Sequence, residues 1–262
     1  MSTILDELAA YAKERVAAAK KYISLETIRK EAQTLPCGSF EFEKALGKPG
    51  LSLICECKKA SPSKGLIAPD FPYSEIAKDY EEAGADCISV LTEPKWFLGS
   101  DEYLKDITAN VSIPCIRKDF TVDEYMIYEA KVLGAKAVLL ICSILDDRQL
   151  DDYLSLCKEL GLSALVETHD EREIDRALSL SHMPRIIGVN NRNLKDFYVD
   201  TNNSKRLRQI VPDNVLFVSE SGISSIEDAQ MAYENGADAV LIGEMLMKAN
   251  DRKTLIREMK GL

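Results

Sequence analysis

An α/β fold is what this sequence predicts: a (β/α)8 TIM barrel with an N-terminal helical extension. The first observation behind it is internal repetition. Four segments end a helix-like stretch and enter an apolar run in the same way: EAGADCISVLTE from Glu82, VLGAKAVLLICS from Val132, ELGLSALVETHD from Glu159 and ENGADAVLIGEM from Glu234. In each, a glycine fits the position just past a helix end, and an apolar, often β-branched run follows. The second observation is that four further apolar runs fill the gaps: LSLICE from Leu51, IPCIRKD from Ile113, RIIGVNN from Arg185 and NVLFVSE from Asn214. The third is that a helix-length amphipathic segment follows each run. Near-continuous apolar strands alternating with helices make a parallel sheet covered on its outer side. Eight such units close into a barrel. An open doubly wound sheet is the alternative, but no G-x-G-x-x-G follows the first strand.

Composition narrows the function. A chain of 262 residues can bury a large core, so we expect one barrel domain over 1–262, with 1–48 as the helical extension. The net charge of −10 argues against a partner made of nucleic acid, which demands a basic face. No run has the apolar length of a membrane span, and the start MSTILDELAA carries acids where a signal peptide needs bases. The seven cysteines are odd in number, sit largely inside apolar runs (Cys55, Cys87, Cys115, Cys142) and match no zinc spacing. They read as reduced core residues of a cytoplasmic protein, with no metal site.

Taken in order, the extension begins with Ile4, Leu5, Leu8, Tyr11, Ala12 and Arg15 at helical spacing behind Ser2 or Thr3, either of which suits a cap. A second helix start appears at Ser24, and a third apolar segment lies near Phe40 and Leu46. These helices are expected to pack against an end of the barrel. The first strand, Leu51 to Cys55, runs into ECKKASPSKG. Strand side chains alternate faces, so Glu56 and Lys58 share one face and Cys55 and Cys57 the other. A carboxylate and an amine thus project together from the end of an apolar strand, either as a structural ion pair or as half of an active site.

Active sites of this fold lie where the strands end. The second strand ends in Thr92 and Glu93, followed by Trp96 and Phe97; the third ends in Arg117, Lys118 and Asp119. Cys142 and Ser143 end the fourth, Glu167, Thr168 and His169 the fifth, and Asn190, Asn191 and Arg192 the sixth. Ser219, Glu220, Ser221 and Gly222 end the seventh, and Gly243 and Glu244 the eighth. So many ionisable groups on one rim strain a purely structural account. Two lysines facing three glutamates suit general acid–base work. Gly222 and Gly243 each precede a candidate short helix, and the loops after the last two barrel strands frequently bind phosphate, with Arg192 as a charged neighbour. Glycines at a barrel rim are also ordinary turn residues.

ECKKASPSKG, LTEPKWFLGS, IRKDF, VETHD, IGVNNRNL, VSESGI and LIGEMLM, in this order and spacing, resemble the indole-3-glycerol-phosphate synthase family of tryptophan biosynthesis over essentially the whole chain. The resemblance implies a carboxy-lyase that closes the ring of 1-(2-carboxyphenylamino)-1-deoxyribulose 5-phosphate, giving indole-3-glycerol phosphate, carbon dioxide and water. It implies no metal and no organic cofactor. The partner expected is this small phosphorylated substrate; a monomer or weak homodimer and association with other tryptophan-pathway enzymes are further expectations.

Carried over residue by residue, the resemblance implies Lys118 as the general acid at the substrate carbonyl and Glu167 as the partner in later proton transfers and dehydration. It implies Lys58 near the substrate carboxylate and reacting hydroxyls, with the division of the acid role between the two lysines open. Glu56, Asn190, Glu220 and Ser221 match positions that orient substrate and lysines. Ser61 lies in the family's first loop, and Phe97, Phe120 and Leu139 match its apolar pocket for the anthranilate ring. Arg192, Gly222, Gly243 and the backbone of Glu244 match the phosphate end.

Departures from the family pattern are Cys57 and Lys59 beside the first-strand pair, Met245 after the strand-eight glycine, and Glu124 at a helix start, where an acid is also favourable. His169 reads as a loop residue, His182 as a solvent-exposed linker residue and DEREIDR as a solvated helix face. Trp96 lines or shields the pocket, and Glu93 is not assigned to the site. Phosphoribosylanthranilate isomerase and the tryptophan synthase α-subunit are similar barrels without a Glu-x-Lys pair on the first strand. A catalytically silent phosphosugar-binding barrel is the rival from outside enzymes.

Overall fold

The structure, a computed structural model, describes residues 3–193 and 197–261. Ser2, one of the two suggested helix caps, and Leu194 of the IGVNNRNL motif lie outside the described residues. Eight parallel strands close into a barrel. They are β1 (Ser52–Cys57), β2 (Cys87–Leu91), β3 (Cys115–Lys118), β4 (Ala137–Ile141), β5 (Ser163–Thr168), β6 (Ile186–Asn190), β7 (Leu216–Glu220) and β8 (Ala239–Ile242). Each strand pairs with the next in sequence, and β1 closes the ring on β8 through Ser52↔Ala239 to Cys55↔Ile242. The repeat glycines Gly84, Gly134, Gly161 and Gly236 all adopt positive φ, from 70° to 98°, and turn each helix end back into a strand.

Among the described residues, three helices precede the first strand. Helix α1 (Ile4–Ala19) starts at Thr3, whose hydroxyl accepts from the Asp6 amide while Asp6 reaches back to the Thr3 amide. Ser24 caps α2 (Leu25–Thr34), and α3 (Glu41–Leu46) follows Phe40. The extension was expected at one end of the barrel; it reaches both. Leu8 and Ile4 of α1 line the cavity at the strand C-termini, whereas Ala45 and Leu46 accept hydrogen bonds from the hydroxyl of Ser52 at the start of β1. Between these ends α2 lies along α6 (Glu124–Val132). Arg15–Asp119 (2.6 Å), Lys20–Asp123 (2.7 Å) and Arg29–Glu124 (3.0 Å) fasten the connection. Glu124 opens α6 behind the Asp123 cap, as an acid in a first turn should.

The period of two along the strands sorts the chemistry. Glu56 and Lys58 line the cavity, while Cys57 is buried on the helix side near Tyr80 of α4 (Tyr73–Ala83). Six of the seven cysteines are buried and all are free, as the composition suggested. The strand-end trio of β3 splits likewise. Arg117 points outward to Asp101 and Glu129, both at 2.7 Å, and only Lys118 turns inward between carboxylates.

Candidate functional site

All fifteen residues assigned to a site from the sequence line one cavity of about 610 Å³ at the strand C-termini. Its floor is a charge cluster. On β3, Lys118 Nζ lies 2.6 Å from Glu220 Oε2 on β7 and 3.2 Å from Glu167 Oε2 on β5. On β1, Glu56 Oε1 takes Lys58 Nζ at 2.8 Å, and Glu56 Oε2 accepts from the Ser89 hydroxyl. The Asn190 amide donates to Glu167 Oε1 at 3.1 Å, and its carbonyl oxygen accepts from the Ser221 hydroxyl and the Arg192 amide. Ser221 holds that position from a left-handed backbone, φ 65°, which is costly for a residue with a Cβ and is typical of functional turns.

The three carboxylates titrate apart because their partners differ. Burial alone would raise each of them. At Glu56 it is outweighed by the charges of Lys58 and Lys118 and the bonds from Lys58 and Ser89, which hold its pKa below the usual value. At Glu167, Lys118, His169 and the Asn190 amide win in the same way. Glu220 has the pull of Lys118 alone, set against burial and the charges of Glu167 and Glu56, and its pKa is raised to about 7. Burial opposes the charge on Lys118, yet Glu220, Glu167 and Glu56 together lift its pKa above the ordinary lysine value.

Above this floor the wall is apolar on one side. Phe97 and Phe120 stand 6.0 Å apart between ring centroids, with Leu139, Ile141, Ile4 and Leu8 completing that side. Glu93 explains why Phe97 is there. Its buried carboxylate accepts the amides of Lys95, Trp96 and Phe97, folding the loop after β2, and it does not line the cavity. Trp96 packs edge-on against Tyr11 of α1, so it anchors the loop and does not line the pocket. The opposite end is polar: Arg192, Lys64 and Lys248 are cations there, beside Ser221, Gly222, Gly243 and Glu244. Helix α11 (Glu244–Lys248) begins directly after Gly243, and its first amides have no acceptor within the helix. The Glu244 side chain is taken by Lys248 at 2.6 Å. Ser61 lines the cavity beside Pro62 and Ser63, in the loop that β1 feeds.

The family model for indole-3-glycerol phosphate synthase matches residues 5–259. The chain belongs to that family. It is similar to the indole-3-glycerol phosphate synthase of Ruminiclostridium cellulolyticum, 54% identical over 98% of this chain and 99% of the relative. It is also similar to that of Leuconostoc mesenteroides, 51% identical over 98% of this chain and 99% of the relative. Among solved structures the fold matches a thiamine phosphate pyrophosphorylase from Pyrococcus furiosus with a TM-score of 0.60 at 15% identity, covering 80% of this chain and 94% of that one. At that identity the likeness concerns the barrel alone.

Within this indole-3-glycerol phosphate synthase frame, two contributions to the site were not assigned to it from the sequence, one from residues that line the cavity and one from a glycine that does not. Ile4 and Leu8 come from a helix whose position no local pattern reveals. Gly188, inside β6, is the other. A Cβ there would lie 2.1 Å from Glu220 Oε1, so the glycine is what lets Glu220 enter the barrel. The signal was available, since a glycine inside a strand often marks a close approach. Gly243 has a related duty: a Cβ on it would lie 2.5 Å from Glu56 Oε1 and 2.8 Å from Lys58 Nζ. Gly188→Ala is expected to cost about 1–3 kcal/mol in stability through overpacking and to lower kcat by pushing Glu220 off Lys118. Urea melts and steady-state kinetics check it, and an unchanged kcat would remove Glu220's placement from the account.

Proposed function

We propose that the chain closes the indole ring of 1-(2-carboxyphenylamino)-1-deoxyribulose 5-phosphate by Lys/Glu general acid–base catalysis. The observation that carries this reading is Lys118 Nζ held between Glu167 and Glu220 on the floor of a cavity that is apolar at one end and cationic at the other. That asymmetry fits a substrate with an aromatic ring at one end and a phosphate at the other. The ring is assigned to Phe97, Phe120 and Leu139, and the phosphate to Arg192, Gly222, Gly243 and the backbone of Glu244, with Ser61 in the loop over the site.

In this pose the Lys118 ammonium donates a proton to the ketone oxygen as the ring carbon attacks it, cancelling the charge that develops there. Lys58 faces the carboxylate that departs as carbon dioxide. The new hydroxyl then leaves as water, and Glu167 removes the proton from the adjacent CH2 carbon. Glu56, Asn190, Glu220 and Ser221 hold these groups in register. Six buried free cysteines suit a reducing compartment, which supports a cytoplasmic location. Among the described residues no helix is long and apolar enough to cross a membrane.

Growth of indole fluorescence on adding the substrate tests the assignment. The protein should form product; binding without turnover would favour the silent barrel, and neither binding nor turnover would refute the assignment. Arg192→Ala should raise KM about tenfold to a hundredfold, the loss of a charge-assisted hydrogen bond, with kcat within a few-fold. A normal KM would move the phosphate elsewhere in the cavity.

A further inference from the structure

The reaction proposed above, on which this inference rests, has an unmet proton requirement. A substrate carboxylate leaves as neutral carbon dioxide and a hydroxyl leaves as neutral water, so the ionised product carries one negative charge fewer than the ionised substrate. One proton must therefore enter from water in each turnover. Glu167 can pass the proton it removes to the leaving hydroxyl, which leaves Lys118 as the group that ends deprotonated and must be recharged.

His169 stands where such a proton can be stored. Its Nε2 is buried without a hydrogen-bond partner among the described residues and lies 3.6 Å from Glu167 Oε1, the oxygen on the side away from Lys118. Its other nitrogen, Nδ1, and its backbone amide both face Glu173 Oε2, at 3.2 and 2.8 Å. Glu173 belongs to α8 (Glu171–Leu178), and the Asn203 amide from α9 (Asn202–Arg208) fixes the His169 carbonyl. A loop residue with no task needs neither the clamp nor the aim. The ring faces Glu167 from β5, Glu173 from α8 and Glu220 from β7, with Lys118 of β3 beyond Glu167. Burial disfavours the charged ring, but the Glu173 bond and these three carboxylates outweigh it and raise its pKa above the usual histidine value.

We propose that His169 is a positioning residue that keeps Glu167 ionised and holds the proton that recharges the site. When Lys118 has given up its proton, the His169 Nε2–H bond breaks and a Glu167 O–H bond forms. The protonated carboxyl then turns to bring this oxygen to the place of Oε2, 3.2 Å from Lys118 Nζ, and its O–H breaks as the Lys118 ammonium re-forms. The neutral imidazole, whose side chain is 21% exposed although Nε2 itself is covered, turns to take a new proton from water at Nε2 once product has left.

The test is kcat and KM against pH for the parent, His169→Ala and Glu173→Gln, with added imidazole. His169→Ala should lose about tenfold in kcat with KM within twofold, and imidazole should restore most of it. Glu173→Gln keeps the bond to the His169 amide but removes a charge that favours the imidazolium, so the alkaline limb of kcat should move to lower pH. Parent-like kcat in His169→Ala, no imidazole rescue, or an unmoved limb in Glu173→Gln each overturns the proposal. Should His169→Ala fail to fold by circular dichroism, the Glu173→Gln limb decides alone. Glu167→Gln separates the two levels. If it collapses while His169→Ala is parent-like, only this inference fails; if it keeps parent turnover, the assigned reaction chemistry fails with it.

Discussion

Lys118→Ala is expected to reduce turnover by about a thousandfold or more, within the range for loss of a positioned general acid that also steadies a developing oxyanion. KM should change little, because the ring pocket and the phosphate end lie elsewhere in the cavity. The expectation follows from where the ammonium sits. Lys118 bridges the carboxylates of β5 and β7, so no neighbouring cation can slide into its place without crossing one of them. Lys58 is engaged by Glu56 at 2.8 Å on the far strand. A raised pKa makes an ion-paired lysine a reluctant donor, and the site contains the means to correct this. Glu220, whose pKa burial and the charges of Glu167 and Glu56 raise to about 7, takes up a proton far more readily than an ordinary glutamate. When it takes a proton and the substrate oxygen approaches, Lys118 loses one of the charges that hold its own proton. Indole fluorescence under single-turnover conditions reads the effect. If Lys118→Ala retains a tenth of the parent rate while Lys58→Ala collapses, the acid role belongs to Lys58.

How much of this was legible in the sequence depends on whether the determining contact is local. The pair Glu56 and Lys58 was legible because a period of two forces both onto one face, and the barrel placed that face at the rim. Lys118 was legible as a strand end, although only the structure shows that its neighbours Arg117 and Asp119 serve a separate network with Arg15 and Thr92. Glu93 and Glu167 are both buried glutamates at strand ends, yet one folds a loop and the other faces Lys118. No spacing rule separates them. His169 belongs to the quoted motif VETHD, but its significance rests on a nitrogen without a hydrogen bond aimed at Glu167, and that is a statement about three elements meeting in space. The same holds for the extension: amphipathic spacing revealed its helices, while the ion pairs that carry it from one end of the barrel to the other join residues about a hundred positions apart.

Glu220→Gln should make the protein more resistant to unfolding at alkaline pH and should leave the gain largely absent near pH 5. The sign follows from the raised pKa. A carboxyl with a folded pKa of about 7 and an ordinary value of 4.5 binds its proton more tightly in the folded state. The folded state is therefore favoured most below 4.5, and the advantage is lost as pH rises through 7. Above that range the parent must hold a second negative charge against Glu167 with Lys118 as the shared cation, a cost of about 3 kcal/mol from the size of the shift. Glutamine keeps the volume beside Gly188 and can accept the Lys118 bond, so the variant lacks the titration without opening a cavity. Urea denaturation of parent and variant at pH 5 and pH 9 measures it, with the difference between the two proteins expected to widen by that amount. A gap that does not change with pH would mean that Glu220 stays ionised throughout, with Lys118 strong enough to overcome both burial and Glu167. Loss of turnover alongside gained alkaline stability would mark Glu220 as a charge kept in the barrel for chemistry, because a purely structural carboxylate would not weaken the fold it belongs to.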